Sequence, residues 1–290
     1  MTRSATRSRK PSTQNILARA VAPESSHLPL PRALLVFAHP DDETIALGAR
    51  LRRMAGSHLV HATDGAPRNE QDSRACGFRS FLEYRAARAA ELACMLRQAG
   101  IESISRECLG IPDQQAALRL AALTRELARR IRTHRPEVIF THAYEGGHPD
   151  HDACAFAVHQ AVALATGDPP VIIECASYHA GPEGIEIGTF LPPSAPAPHT
   201  SPRELSFALS GDEKQRKLHL LDCFTTQQGT LGPFRAGEER FRVAPACDFT
   251  RPPHAPPVFY DHFPWGMTSA RFCSLARDAL RTLGALAEAA

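Results

Sequence analysis

The stretch Ala33-Leu34-Leu35-Val36-Phe37-Ala38-His39-Pro40-Asp41-Asp42-Glu43 joins an apolar run to a cluster of polar side chains. The apolar run predicts a fully buried β-strand, because a strand covered on both faces shows no polar alternation. The polar cluster then lies at the carboxyl end of that strand, where open α/β sheets bind their ligands. This stretch therefore predicts a parallel sheet and the edge of it that carries the functional site.

The same design recurs later in the chain, where Val138-Ile139-Phe140 precedes Gly147-His148-Pro149-Asp150-His151. In a parallel sheet the carboxyl ends of both strands meet at one edge, so the two polar clusters can converge. Two histidines and one carboxylate are a complete set of protein ligands for a catalytic divalent metal ion. The competing interpretation, that Asp41, Asp42 and Glu43 cap a helix, accounts for one cluster only. Together, the two clusters predict a metal site, with one further carboxylate and one further histidine available as base and acid.

Apolar runs and helical patterns alternate between and beyond these clusters. The sequence predicts strands near 33–38, 58–63, 103–109, 137–142 and 171–175, separated by helices near 43–56, 80–99, 115–134 and 150–166. Such alternation is typical of right-handed crossovers with helices on both faces of the sheet. The predicted fold class is α/β, a Rossmann-like three-layer fold with a mostly parallel sheet.

The remainder of the chain has a weaker pattern. We expect loops over 181–203 and 229–266, a strand over 204–209, and helices over 212–228 and 268–289. With no convincing domain boundary, residues 31–290 are interpreted as a single domain whose C-terminal third, about 181–266, is rich in loops. The final apolar helix is expected to pack on its own domain, with a homo-oligomer interface as the alternative.

Composition excludes several classes of protein. The chain has 290 residues, 43% of them hydrophobic, and a formal net charge of +2, so no field of one sign favours nucleic acid. No run is long enough to span a membrane. Eight dispersed cysteines without a C-x-x-C pair predict no disulfide framework and a reducing, cytoplasmic location.

The first thirty residues are interpreted as a flexible basic tail. Four basic residues stand among Ser, Thr and Ala in a segment that lacks the apolar core of a signal peptide: Arg3, Arg7, Arg9 and Lys10. A nucleic-acid-binding arm and a transit peptide are the alternatives for this segment.

The two clusters, Ala38–Glu43 and Gly147–His151, resemble the zinc-dependent N-deacetylase family. That family contains the N-acetylglucosaminyl-phosphatidylinositol de-N-acetylases and the LmbE-like bacterial enzymes. The resemblance covers about residues 33–175, with Thr63-Asp64-Gly65 and Pro112-Asp113 as weaker matches, and it loosens beyond 180. It implies a metal-dependent hydrolase that removes the N-acetyl group from an N-acetylglucosamine-type amino sugar or small glycoside.

Carried over by position, the resemblance implies a role for each residue of the two clusters. The metal ligands are His39, Asp42 and His151, and the ion is zinc, with Fe²⁺ or another divalent metal as the alternative. Asp41 is the general base for a metal-activated water. His148 stabilises the oxyanion and protonates the leaving amine, and we expect Asp150 to orient it and to raise its pKa.

The resemblance also implies two substrate-binding residues, Arg68 and Asp113. Their competing interpretations are a solvated loop charge for Arg68 and a helix cap for Asp113. Arg85, Arg88 and Glu91, on the long helix near 80–99, are predicted to form surface ion pairs of little energetic weight.

Three other functions compete with the sugar deacetylase. An amidase of the same family would act on a different amide conjugate. A non-haem iron oxygenase is compatible with two histidines and a carboxylate, but its jelly-roll fold uses antiparallel strands. A structural metal protein would close its site with four ligands, often cysteines, which these clusters do not contain.

Overall fold

Strand β1 (Ala33–Phe37) forms where the apolar run predicts it, and every residue in it is buried. The computed structural model describes residues 12–192, 204–234 and 237–287. The other strands are β2 (His58–Thr63), β3 (Ser105–Ile111), β4 (Val138–His142), β5 (Val171–Cys175), β6 (Tyr178–Gly181), β7 (Gly184–Ile187), β8 (Leu205–Ala208) and β9 (Glu238–Val243).

The helices alternate with the first five strands and continue beyond them. They are α1 (Thr13–Ala20), α2 (Asp42–Leu47), α3 (Gln71–Ala75), α4 (Phe81–Gln98), α5 (Leu120–His134), α6 (Pro149–Ala163), α7 (Gly211–Leu221), α8 (Gln228–Leu231) and α9 (Ser269–Ala287). Short 3-10 turns lie at Leu51–Gly56, Ala116–Arg119, Thr225–Gln227, Gly232–Phe234 and Phe259–His262.

Seven strands form one sheet in the order β3-β2-β1-β4-β5-β9-β8. The pairs among β1 to β5 are parallel, whereas β9 pairs antiparallel with β5 and with β8. Apolar side chains of α5, α6 and α9 cover one face of the sheet, and those of α1, α2, α4 and α7 cover the other. The predicted α/β fold with three layers and a mostly parallel sheet is confirmed.

The order of the strands decides where a site can form. The chain runs outward from β1 to β2 and β3, then returns to place β4 on the opposite side of β1. The connections after β1 and β4 therefore leave a crevice between these two neighbours, at the topological switch point. Both polar clusters follow these two strands.

The predicted tail over 1–30 is wrong for the part that the structure describes. Ser12 caps α1 by accepting a hydrogen bond from the Asn15 backbone, and Leu17 and Ala20 are buried in the core. The Arg53 guanidinium donates to backbone carbonyls of this segment. The apolar stripe of α1 is short, and these long-range contacts hold it in place. The four basic residues of the tail lie outside the described residues.

The C-terminal third contains more strand than we expected. The predicted loop over 181–203 begins with the hairpin β6–β7, and its residues 193–203 lie outside the described part. Strand β9 was missed inside 229–266. Its four charged side chains obscure the strand pattern, and two of them are buried in ion pairs: Glu239 with Arg50 and Lys217, and Arg242 with Glu174.

Helix α9 packs on its own chain, as expected, since Phe272, Ala276 and Leu283 are buried in the core that α5 and α6 share. All eight cysteines are free. Among the described residues, no helix is both long and apolar enough to cross a lipid bilayer. The single-domain interpretation of residues 31–290 stays a prediction.

Candidate active site

The turn between β1 and α2 carries three polar side chains of the candidate site, those of His39, Asp41 and Asp42. Asp41 lies at the amino end of α2, and its carboxylate does not cap the helix. Its φ of 145° is in a region that side chains rarely adopt. The Asp42 carboxylate folds back to accept a hydrogen bond of 2.7 Å from the His39 backbone. The Asp41 and Asp42 carboxylates therefore do not serve as helix caps, whereas the Glu43 carboxylate accepts the Asp41 backbone N–H and pairs with His61 of β2.

Histidines from the two clusters converge on Asp42. Its two carboxylate oxygens lie 3.2 Å from His39 Nδ1 and 3.2 Å from His151 Nε2. His142, at the end of β4, lies 3.3 Å from the same carboxylate and stacks on His151 with ring centroids 3.9 Å apart. Since the His142 Nε2 atom also accepts the Ala38 backbone N–H at 3.0 Å, this histidine holds β1 and β4 together.

Close packing of these groups changes their pKa values in opposite directions. Although burial alone would lower the pKa of His39, the carboxylates of Asp113 and Asp42 raise it well above its usual range. Burial opposes the ionisation of Asp42, but the surrounding histidines hold its pKa well below the usual range. Burial together with the neighbouring His142 lowers the pKa of His151 to about 4.

The donor set fits a divalent metal ion. Three overlapping sets have their ligand atoms within 4.8 Å of one another: His39–His148–His151, Asp42–His142–His151 and His39–Asp113–Asp150. The predicted ligands His39, Asp42 and His151 are spread over the first two. Buried His39 Nε2 and Asp113 Oδ1 have no hydrogen-bond partner of acceptable geometry. Imidazole and carboxylate donors are those that zinc and neighbouring divalent metals use.

Arg88 is a functional candidate that the sequence analysis placed wrongly at the surface. Its Nη2 atom donates to Asp41 Oδ2 at 3.0 Å, its Nε atom donates to the Gly65 carbonyl, and its side chain is fully buried. Glu91 is also buried, and of the three residues predicted as surface ion pairs only Arg85 is exposed. Arg88 shares one buried face of α4 with Tyr84 and Met95, and this helical spacing was the signal that could have found it.

We expect Arg88→Met to lower the free energy of unfolding by about 3 kcal/mol, because it leaves the Asp41 carboxylate buried without its partner. Urea denaturation measures this, and Arg85→Met on the same helix is the control, expected to change stability by less than about 0.5 kcal/mol. In an Asp41→Asn background the cost of Arg88→Met should fall by at least about 1 kcal/mol. Equal costs in both backgrounds would contradict the pairing.

His148 caps helix α6 with its ring. Its Nδ1 atom accepts the Asp150 backbone N–H at 3.1 Å, so the neutral ring carries its proton on Nε2. That atom lies 4.0 Å from Asp113 Oδ1. Burial, followed by the charge of His39, lowers the pKa of His148 to about 3, opposite to the expected increase.

The carboxylate of Asp150 has a different task from the one we predicted. It accepts backbone hydrogen bonds from Gln114 at 2.6 Å and from Ala116 at 2.9 Å. Asp150 thus contacts His148 through its backbone N–H, while its side chain holds the loop after β3. That loop places Asp113 Oδ1 3.0 Å from His39 Nε2, so Asp113 lies within the cluster and not at a helix cap.

Arg68 lies at the margin of the crevice, after β2. Its guanidinium pairs with Asp64 at 2.6 Å and lies over the Phe81 ring, 4.4 Å from the centroid. Arg68 is therefore a fixed cation and not a freely solvated one. None of the contacts described for it reaches the histidine cluster.

Two glycines let the second cluster approach its neighbours. A Cβ atom on Gly147 would lie 2.1 Å from the Tyr178 carbonyl oxygen, and one on Gly146 would lie 2.6 Å from Val258 Cβ. Gly146 also has a φ of 71°, which favours glycine. These contacts press the loop before α6 against β6 and against the segment that precedes α9.

The chain resembles several deacetylases. Residues 34–162 match the PIG-L family, described as GlcNAc-PI de-N-acetylase. The 1D-myo-inositol 2-acetamido-2-deoxy-alpha-D-glucopyranoside deacetylase of Segniliparus rotundus is 34% identical over 168 residues, or 48% of this chain and 52% of that protein. The chain thus spans about half the length of this curated relative.

Two solved structures share the fold. The A40926 pseudoaglycone deacetylase has 17% identity and a TM-score of 0.56 over 75% of this chain and 99% of its own. The N,N'-diacetylchitobiose deacetylase of Pyrococcus horikoshii has 18% identity and a TM-score of 0.50 over 70% and 75%. The chain therefore has the same α/β fold as these two deacetylases. The match to the PIG-L family is confined to residues 34–162, less than half of the chain.

Proposed function

We propose that this protein is a metal-dependent N-deacetylase that hydrolyses the acetamide of an N-acetylglucosamine-type amino sugar or small glycoside. The observation that carries the proposal is the convergence of His39, Asp42 and His151 beside Asp41 and His148 at the switch point of the sheet. The deacetylase relatives support the reaction type. The eight free cysteines support a reducing compartment such as the cytoplasm.

His39, Asp42 and His151 are the proposed ligands of one divalent ion, with zinc as the first candidate. Three protein ligands are typical of catalytic zinc sites, whereas structural sites use four. When bound, such an ion lowers the pKa of water and polarises the amide carbonyl. The His142 Nε2 atom, which faces Asp42, uses its lone pair to accept the Ala38 backbone N–H, so we leave His142 out of the proposed ligand set.

Asp41 is the proposed general base. Burial raises the pKa of its carboxyl group to about 7, against the opposing charge of Arg88, so the group is suited to exchange protons near neutral pH. The hydrogen bond from Arg88 fixes one carboxylate oxygen. The other can accept the proton of the attacking water, and this proton ends on the amine as the C–N bond breaks.

His148 is the proposed donor to the carbonyl oxygen. The Asp150 backbone occupies its Nδ1 atom, so the Nε2–H bond is available to the developing oxyanion. The Asp150 carboxylate is proposed to act indirectly, by holding the loop after β3 that carries Asp113. Asp113 and Arg68 are the proposed contacts for sugar hydroxyl groups, Asp113 from within the cluster and Arg68 from its margin.

The test is a panel of N-acetylated amino sugars and glycosides, assayed for acetate and free amine with zinc-loaded protein. We expect equal amounts of acetate and amine, without oxygen uptake, and loss of turnover in chelated protein that returns when metal is added. Oxygen uptake without acetate release would support the iron oxygenase. No release of acetate from any member would contradict the sugar deacetylase.

A further inference from the structure

An aromatic wall borders the histidine cluster on the β4–β5 side, and the proposed chemistry does not use it. We define the aromatic wall as Tyr178, Phe259, Phe263 and Trp265. Tyr178 meets the His151 ring at 5.4 Å between centroids, and Trp265 meets the His148 ring at 4.8 Å. Contacts of Phe259 with Tyr178 and with Phe263, and of Phe263 with Trp265, complete the path between these two ends.

The segment that carries the aromatic wall is firmly attached. Its alternate residues Val258 and Tyr260 are buried, and Val258 packs on Gly146. The Asp261 carboxylate accepts hydrogen bonds from the backbone N–H groups of Val258 and Ser269, which ties the segment to the start of α9. The wall is therefore a preformed surface rather than a loose loop.

The wall leaves a stacked pair of rings accessible to solvent. The Phe263 and Trp265 rings lie 4.4 Å apart and only 13° from parallel, and Phe263 keeps 36% of its surface exposed. Neighbouring exposed aromatic rings are unfavourable in water, and a flat apolar ligand that covers them is stabilised. Their place next to His148 puts such a ligand beside the reacting amide.

The opposite side of the crevice is polar and charged. Asp64, Arg68 and Asp113 follow β2 and β3, on the far side of β1 from the wall. That polar side suits the hydroxyl groups of a sugar, because its carboxylates can accept hydrogen bonds from them and its guanidinium can donate to them. A substrate that fills the whole crevice must be polar at one end and apolar at the other.

We propose that the aromatic wall binds an apolar group of the substrate that adjoins the N-acylated sugar. This inference rests on the proposed deacetylase function and specifies its substrate class. The apolar group is either an aryl or alkyl aglycone or an N-acyl chain longer than acetyl, and the two sources share the same chemistry of recognition.

Direct binding can be measured without turnover, because Trp265 is the only tryptophan of the chain. Its fluorescence is followed while chelated protein is titrated with phenyl N-acetylglucosaminide, N-hexanoylglucosamine and free N-acetylglucosamine. We expect a saturable change with at least one apolar ligand, at a concentration at least tenfold below that for free N-acetylglucosamine. The apolar ligand that saturates at the lower concentration shows whether the wall binds an aglycone or an N-acyl chain. Equal or absent responses in all three arms would overturn the proposal.

Specificity supplies the second readout. We expect Phe263→Ala and Trp265→Ala to lower the ratio of kcat/KM for the preferred apolar substrate to kcat/KM for N-acetylglucosamine by about tenfold. A general disturbance of His148 would lower both values and leave the ratio unchanged. Leu164→Ala is the matched control, since Leu164 follows α6 and is 38% exposed; it should keep the ratio of the unmodified protein.

The two proposals fail in different ways. If the unmodified protein releases acetate from every substrate and neither wall variant changes the ratio, the aromatic wall does not bind substrate and the deacetylase remains. If no substrate is turned over, the deacetylase fails, and the fluorescence titration alone decides whether the wall binds apolar glycosides.

Discussion

Asp41→Asn is expected to lower kcat of the metal-loaded protein by about a hundredfold to ten-thousandfold, because the amide cannot accept the proton of the attacking water. Asparagine tolerates positive φ angles, as aspartate does, so the turn at φ 145° should persist. The amide oxygen can still accept the hydrogen bond of Arg88. Steady-state kinetics with acetate detection measures the loss.

Two further measurements make this prediction specific to the base. Metal content should equal that of the unmodified protein, because the Asp42 carboxylate is unchanged. Asp278→Asn on the exposed side of α9 is the control for removal of one carboxylate, and it should keep full activity. Turnover of Asp41→Asn within threefold of the unmodified protein would assign the proton transfer to another group.

His151→Ala is expected to reduce bound metal from about one ion per chain to almost none. Of the ligand pairs with Asp42, the His151 contact is one of the two at 3.2 Å, and its loss leaves one imidazole and one carboxylate, too few for a tight zinc site. Elemental analysis after dialysis against a weak chelator measures the ratio. Deacetylation should fall with metal content.

Two variants separate ligands from neighbours in this experiment. His219→Ala, on the exposed side of α7, should keep one ion per chain. His142→Ala should also keep most of the metal, because the nitrogen that faces Asp42 already accepts the Ala38 backbone N–H. Metal loss in His142→Ala together with metal retention in His151→Ala would contradict the proposed ligand set and would assign His142, in place of His151, as a ligand.

The parallel part of the sheet was predictable because its information is local. Apolar runs such as Ala33–Phe37 and Val138–Phe140 are buried on both faces, and helical patterns between them require crossovers. Strand β9 escaped prediction because Glu239 and Arg242 are buried there as ion pairs. Their partners come from distant parts of the chain, so no local pattern announces them.

The residues of the candidate site, like the strands, were predictable only where their signal is local in the sequence. Residues that stand in the two His-Pro-Asp turns were found from their spacing, and the fold brings them together at the edge that the strands predict. Arg88 was missed because a charged residue on a long helix usually faces solvent. The role of Asp150 was misjudged because it depends on which backbone groups lie opposite its carboxylate. The pKa of His148 was misjudged because it depends on burial and on the charge of His39.

The sequence by itself determined that a buried parallel sheet would carry two polar turns at one edge, because strand burial and turn chemistry depend on neighbouring residues. Only the tertiary structure decided which groups surround those turns. Arg88 comes from α4, the loop of Asp113 is held by Asp150, and the aromatic wall comes from the segment before α9. These contacts join residues far apart in the chain, and burial gives them their strength by excluding water.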